Sequence, residues 1–250
     1  MMHTTKNPRI IVNDDSFPEN SHFWGWRRKT TFLIFAKKKE MKKDHPLRMI
    51  NAGRYKVCFS ELGPEIQKDV LKRMERLIEE NRCWYDRGNY GHLCNILPTL
   101  AIDEALQAVG KTPQESLAIL SKYMWGALKP EKMQKLATKS FFVPLMKVAV
   151  PLGFKYGSGK GWRYVWHKDT DGPNEFRFEC VECLYKHIFT HYGVIDRFGP
   201  MFCHADVINY GNLPYTDFIR TQTLCQGGDK CDFCFIRHAK SEVWERTKSI

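Results

Sequence analysis

No stretch of the sequence reaches the ~18 consecutive apolar residues of a membrane-spanning helix, so a membrane partner is not expected. A leader of the usual form is not expected either. The run Thr31-Phe32-Leu33-Ile34-Phe35-Ala36 follows basic residues but is only six residues long. That is shorter than the ~7–15 apolar residues of a signal peptide. Lys37-Lys38-Lys39 closes the run with no small-residue cleavage site, and the expected location is cytoplasmic. No repeat of ~20–50 residues is visible, which excludes solenoids and propellers.

Negative charge is scarce: 28 Asp+Glu stand against 39 Lys+Arg, a net charge of +11. An excess of this size raises the question of nucleic acid. Its distribution argues against that partner. Residues 1–48 hold 11 Lys+Arg and 5 Asp+Glu, a net of +6, which leaves 11 − 6 = +5 for the other 202 residues. The basic clusters are Arg27-Arg28-Lys29, Lys37-Lys38-Lys39 and Lys42-Lys43. Residues 1–48 are read as a basic, poorly ordered extension, with Met41 and Met49 as alternative starts. No known nucleic-acid motif is present, and no nucleic-acid partner is expected.

Residues 49–250 read as a single α+β domain. A helical part covers about 55–150 and a cysteine-rich sheet part about 151–240. Pro64 can occupy a first turn, and Ile66, Val70, Leu71, Met74, Leu77 and Ile78 follow at helical spacing. A second helix is expected from His92 to Val109, kinked or split at Pro98. Thr112-Pro113-Gln114-Glu115 combines a capping Thr, Pro at the first helical position and Glu three residues on. A further helix opens at Pro130 and reaches the region of Pro144. Gly153, Gly157, Gly159 and Gly161 then mark a loop. Trp162–His167 and Glu175–Cys183 read as a hairpin around Asp171-Gly172-Pro173-Asn174. Helices follow at Leu184–Tyr192 and Met201–Tyr210. Asp217–Leu224 and Cys231–Arg237 read as a second hairpin around Gly227-Gly228. The expected architecture is N-terminal helices packed on a C-terminal antiparallel sheet of about four strands.

Nine cysteines in a reducing compartment do not suggest a disulfide framework, and an odd count leaves one unpaired. Six of them, Cys180, Cys183, Cys203, Cys225, Cys231 and Cys234, fall in the last third of the chain. Two CxxC spacings invite a metal reading. Strand geometry opposes it, because residues three apart on a strand face opposite ways. On this reading Cys183 and Cys231 share one face, and Cys180 and Cys234 the other. Cys58, Cys83, Cys94, Cys180, Cys225 and Cys234 are read as small apolar fillers. Cys203 differs, since Phe202-Cys203-His204-Ala205-Asp206 places a thiol beside a possible base and a carboxylate.

Three segments, Phe178-Glu179-Cys180-Val181-Glu182-Cys183, the Cys203 segment and the run from Arg220 to Phe233, carry a family likeness. In order and spacing they resemble the L-2-amino-thiazoline-4-carboxylic acid hydrolase family. The likeness is specific over about 160–236, and Cys183, Cys203 and Cys231 fall on family positions. A weaker likeness extends to 4-vinyl reductase-type ligand-binding domains. The resemblance implies a small-molecule substrate, a cyclic isothiourea bearing a carboxylate. It implies hydrolysis at a carbon–nitrogen bond to N-carbamoyl-L-cysteine. The residues it offers for chemistry are Cys203, preferred as nucleophile, with Asp206, Cys183, Cys231 and His204. Arg220, Thr223, Gly227 and Gly228 are the expected substrate-binding residues. No cofactor is expected. The alternative is Zn or Fe on Cys183, Cys203 and Cys231, with bound water as nucleophile. A ligand- or metal-binding sensor without turnover is the non-enzymatic alternative.

Overall fold

The structure, a computed structural model, describes residues 44–239. The three basic clusters and the Thr31–Ala36 run lie outside the described residues. Helix α1 spans Pro46–Ala52, and Pro46, Met49 and Ile50 in it are buried. Residues 46–48 therefore belong to the folded body rather than to the extension. Helices α2 (Lys56–Glu61), α3 (Pro64–Glu80), α4 (Tyr90–Ala108), α5 (Pro113–Gly126), α6 (Pro130–Ala137) and α7 (Phe142–Gly157) follow. Then come strands β1 (Arg163–Trp166) and β2 (Glu175–Glu182), helices α8 (Leu184–His191) and α9 (Ile195–Tyr210), and strands β3 (Thr216–Ile219) and β4 (Cys231–Arg237). The expected α+β class holds: helices come first, and the four strands form one antiparallel sheet in the order β1-β2-β4-β3. Among the described residues no helix is long and apolar enough to cross a membrane.

Helix α4 is the axis of the helical half. Residues 96–103 are buried without a break, which a one-sided surface helix does not show. It packs against α1, α3 and α5. Its buried Asp103 meets Arg197 of α9 through two bonds, at 3.0 and 2.7 Å, and so ties the axis to the helix that carries Cys203. The Thr112 cap forms as expected: its hydroxyl accepts the Glu115 N–H, and the Glu115 carboxylate accepts the Thr112 N–H.

Pro98 lies inside α4, where it has no N–H to bond the Cys94 carbonyl. Gly53, at the end of α1, presses against that same carbonyl. A Cβ built at Gly53 would fall 2.0 Å from the Cys94 oxygen, which is backbone and cannot swing away. Gly53→Ala is therefore expected to cost about 1–3 kcal/mol, as other overpacked sites do. Chemical denaturation should show it as a lower midpoint with an unchanged slope.

The structure departs from the sequence reading in three places. The helix expected from Pro130 to about Pro144 ends at Ala137, and a second helix, α7, takes in Gly153 and Gly157. The glycine loop is thus confined to residues 158–162. An apolar face of Phe142, Val143 and Met146 packs on the sheet and holds α7 together despite its glycines. Strand β3 stops at Ile219 rather than Leu224, because residues 221 and 222 turn away to bond Asp232. Finally, Cys180 and Cys231 are direct partners across β2 and β4, so they share a face. Cys183 lies beyond the end of β2, at the cap of α8, where strand alternation no longer applies.

Candidate active site

One face of the sheet carries Phe176, Phe178 and Cys180 from β2 and Cys231, Phe233 and Phe235 from β4. Helices α6 and α7 cover its Phe-rich end. At the other end five cysteines gather: Cys180, Cys183, Cys203, Cys225 and Cys231, packed with Leu224. Cys234, one face away, stays out of the group and lies near Glu175. Cys180 and Cys225, read from sequence as fillers, are therefore members of the thiol cluster. Local sequence could not show this, since cross-strand register and the docking of residues 224–226 decide it.

The docking has a visible cause. Gly199 of α9 has no side chain, and a Cβ there would fall 2.9 Å from the Cys225 Cβ. The short 3-10 turn Leu224–Gln226 therefore lies directly on α9, one helical turn before Cys203. Gly227 and Gly228 shape this turn from outside. Gly227 takes the left-handed conformation (φ 87°), and the Gly228 N–H donates to the Thr223 carbonyl at 2.9 Å. Neither glycine lines the cavity, so the expected role of their N–H groups in binding an adduct is not met. The backbone N–H aimed at chemistry is Leu224's, which donates to the Cys231 sulfur at 3.2 Å.

The thiols fall into pairs of unlike acidity. The Cys225 thiol, packed in the same cluster, lowers the Cys203 pKa, and the Thr223 hydroxyl adds to the effect. Cys225 itself is pushed up, with Cys183 and Cys203 as its thiol neighbours. Cys231 is likewise lowered by Cys180 and by the Leu224 N–H, while Cys180 is raised. In each pair one sulfur is made more acidic and the other less.

Four of these cysteines (Cys180, Cys183, Cys203 and Cys231) line a cavity of about 470 Å³ between the sheet and the helices. Asp206 lines it too, one turn beyond Cys203 on the same face of α9. Protein surrounds the Asp206 carboxyl, although 35% of its side-chain surface opens on the cavity. That enclosure raises its pKa to about 6, against the lowering effect of Arg220. Aromatic walls complete the space: Phe154, Trp162, Tyr164, Tyr185, Phe202 and Phe233. Phe178 and Phe233 stack at 4.5 Å with planes 3° apart. His92 also faces the cavity. Its Nε2 lies 3.0 Å from the Gly157 carbonyl, which can only accept, so Nδ1 accepts from the Tyr185 hydroxyl at 2.8 Å. Burial lowers the His92 pKa, which favours the neutral ring.

His204 and Arg220, like Thr223, Gly227 and Gly228, do not line this cavity. His204 is exposed and turns from the cavity onto a surface groove, its ring 4.9 Å from that of Trp125. Adjacent helix positions point about 100° apart, so Cys203 and His204 cannot share a face. Arg220 lies behind the cavity, where Nη1 donates to Asp206 at 2.9 Å and to the Cys203 carbonyl at 3.0 Å. It is a brace for these two residues, not a free clamp for a substrate. Asp232 serves the loop: despite burial, bonds from Thr221 and Gln222 hold its carboxyl below the usual range. Sequence reading missed Arg54 and His92, which come from the helical half, and Tyr185 of α8; no motif marks any of the three. Among the described residues no group of three or more His, Cys, Asp or Glu side chains is arranged to hold a metal ion.

The model of one family, L-2-amino-thiazoline-4-carboxylic acid hydrolase, matches residues 94–235, more than half of the chain. The chain belongs to that family. The match runs from within α4 to within β4 and takes in every cysteine of the cluster. Within this hydrolase family member, the part before residue 94 supplies Arg54 and His92 to the cavity. No curated protein matches the chain, and neither does any solved structure.

Proposed function

We propose that the protein hydrolyses a small cyclic isothiourea of the L-2-amino-thiazoline-4-carboxylate type by covalent cysteine catalysis. The observation that carries this reading is the pairing of Cys203 with Asp206 on one face of α9. Both open on an aromatic cavity, and the thiol is favoured as thiolate by Cys225. The Cys203 thiolate adds to the amidine carbon, which is flanked by nitrogen and sulfur. The adduct collapses as one ring bond breaks, leaving the carbon attached to the enzyme sulfur. Asp206 as carboxylate then takes a proton from a water that adds to this carbon. Loss of the Cys203 sulfur from that second adduct returns the thiolate and frees a carbamoyl product.

Atom counting identifies the ring bond. N-carbamoyl-L-cysteine keeps both nitrogens on the carbamoyl carbon and has a free sulfhydryl, so its formation breaks the ring carbon–sulfur bond. Breaking the ring carbon–nitrogen bond would give S-carbamoyl-L-cysteine instead. The carbon–nitrogen cleavage expected from sequence is thus incompatible with the product expected alongside it. The carbon–sulfur route fits the site better, because a departing thiolate needs no proton donor and Asp206 remains free as base.

The reaction is tested by following free sulfhydryl with a thiol reagent and product mass together. One sulfhydryl released per turnover is expected. Turnover without sulfhydryl release would overturn the carbon–sulfur route. The acid limb of kcat/KM should have its midpoint near pH 6, the Asp206 value, because below it the carboxyl is protonated and cannot accept a proton. That limb should vanish in Asp206→Asn, with a residual rate lower by about 10²–10⁴-fold. Binding of the thiazoline without turnover in the wild type would return the cavity to a ligand-sensing role.

A further inference from the structure

The cavity contains a cation that the proposed reaction does not use. Arg54 follows the Gly53 turn at the end of α1 and lines the cavity wall, half-buried. Among the described residues no carboxylate bonds its guanidinium. Its one side-chain hydrogen bond among these residues runs from Nη1 to the Met124 thioether, at 3.4 Å. A thioether is a weak acceptor, whereas a guanidinium presents five donors in a planar fork. The other arginines near the site are occupied, Arg220 by Asp206 and Arg197 by Asp103.

The backbone at Arg54 is fixed from two sides. Its N–H donates to Asn95 Oδ1 at 2.9 Å, and Gly53 beside it is pressed on the Cys94 carbonyl. The fork is thus carried on a rigid turn and faces a space walled by aromatic rings. Trp162 and Tyr164 lie 6.2 Å apart with planes 9° from parallel. Its charge reaches the reacting end of the cavity, where it helps to lower the Asp206 carboxyl against the effect of burial.

We propose that Arg54 is the carboxylate-binding residue of this cavity and makes the site selective for small planar anions over their neutral counterparts. The inference rests on the same cavity as the proposed hydrolysis and names the residue that reads the ligand's charge. The guanidinium fork takes the carboxylate through two parallel bonds. The aromatic walls take the flat ring, and the amidine carbon is left toward the thiols. Arg220 cannot serve, because its bonds to Asp206 and the Cys203 carbonyl occupy it.

The test needs no turnover and uses the full chain. Iodoacetate and iodoacetamide alkylate a thiolate by one displacement, in which carbon–sulfur forms, carbon–iodine breaks and iodide leaves. They differ in charge and little in size. Labelling rates at Cys203 and Cys231 are followed by peptide mass in wild type, Arg54→Gln and Arg54→Lys, with exposed Cys83 as internal reference. The iodoacetate-to-iodoacetamide ratio at the cavity thiols, normalised to Cys83, should fall about tenfold or more in Arg54→Gln. Arg54→Lys should keep part of it, and covers the case in which the Gln variant does not fold. An unchanged ratio in both variants overturns the proposal. So does a wild type whose cavity thiols neither reagent labels, since a small carboxylate would then be unable to enter. A tenfold fall in a protein that does not turn over the thiazoline supports the anion site and removes the hydrolysis reading instead.

Discussion

Replacing Cys203 by alanine is expected to lower turnover of L-2-amino-thiazoline-4-carboxylate by about 10⁴-fold or more, as loss of a nucleophile does. The fold should survive, because the cavity side of Cys203 has room and the change removes a single sulfur. The companion variant Cys225→Ala separates the nucleophile from its activator. Cys225 packs in the same cluster as Cys203 and lowers its pKa. Without that thiol the Cys203 pKa should rise, and kcat/KM should show a second, more alkaline rise beyond the Asp206 limb, with activity recovered in alkali. Cys203→Ala should show no such recovery. Rapid quench of the wild type and intact mass should reveal an adduct on Cys203 that Cys203→Ala lacks. An adduct on Cys231 instead would transfer the role to the second activated thiol, which Cys180 and the Leu224 N–H support. Stoichiometric zinc or iron in protein purified without chelator, together with undiminished activity in Cys225→Ala, would contradict the covalent scheme and recast Cys183, Cys203 and Cys231 as ligands.

The second large effect is on stability. Asp103 is buried in the middle of α4, and its two oxygens meet the Arg197 guanidinium at 3.0 and 2.7 Å. Asp103→Ala leaves that guanidinium without its partner between two packed helices. Removing one member of such a pair costs about 3–5 kcal/mol. For a chain of this size that is a fall in Tm of roughly 6–20 °C. The double change Asp103→Leu with Arg197→Leu should recover most of the loss, since the cost lies in the unpaired charge and not in the missing pair. Thermal unfolding of the three proteins decides it. A single variant within about 1 kcal/mol of wild type would mean that water reaches Arg197 and solvates it.

The two predictions concern the two ends of α9. Arg197 fixes its first turn to the helical half, and Cys203 and Asp206 in its later turns face the thiol cluster. Loosening Asp103–Arg197 is therefore expected to reach activity as well, through the position of α9 and not through the chemistry.

Much of the fold was legible in the sequence because local rules decide it. The spacing of Val70, Met74, Leu77 and Ile78 gives α3 its buried face, and those residues are buried. Thr112 to Glu115 encode a complete helix start, and both reciprocal bonds form. The aromatic runs near 163–166 and 175–182 form a hairpin as their composition suggests. Where the local signal was mixed, the reading failed. Gly153 and Gly157 look like loop residues, yet α7 runs through them because its apolar face is paid for by packing on the sheet.

The site divides in the same way. The sequence by itself determined that Cys203 and Asp206 share a helix face, since a spacing of three is nearly one turn. It also showed that a thiol-rich C-terminal part joins a known hydrolase family. Only the tertiary structure decided which thiols meet. The register of β2 on β4 brings Cys180 to Cys231, and the bare backbone of Gly199 admits Cys225 beside Cys203. It also exchanged the arginines, spending Arg220 on Asp206 and presenting Arg54 to the cavity from more than 150 residues away in the chain. Periodicity and capping act over a few residues, so a sequence can state them. Register, close approach and charge pairing join distant segments, and they exist only once the core has placed those segments side by side.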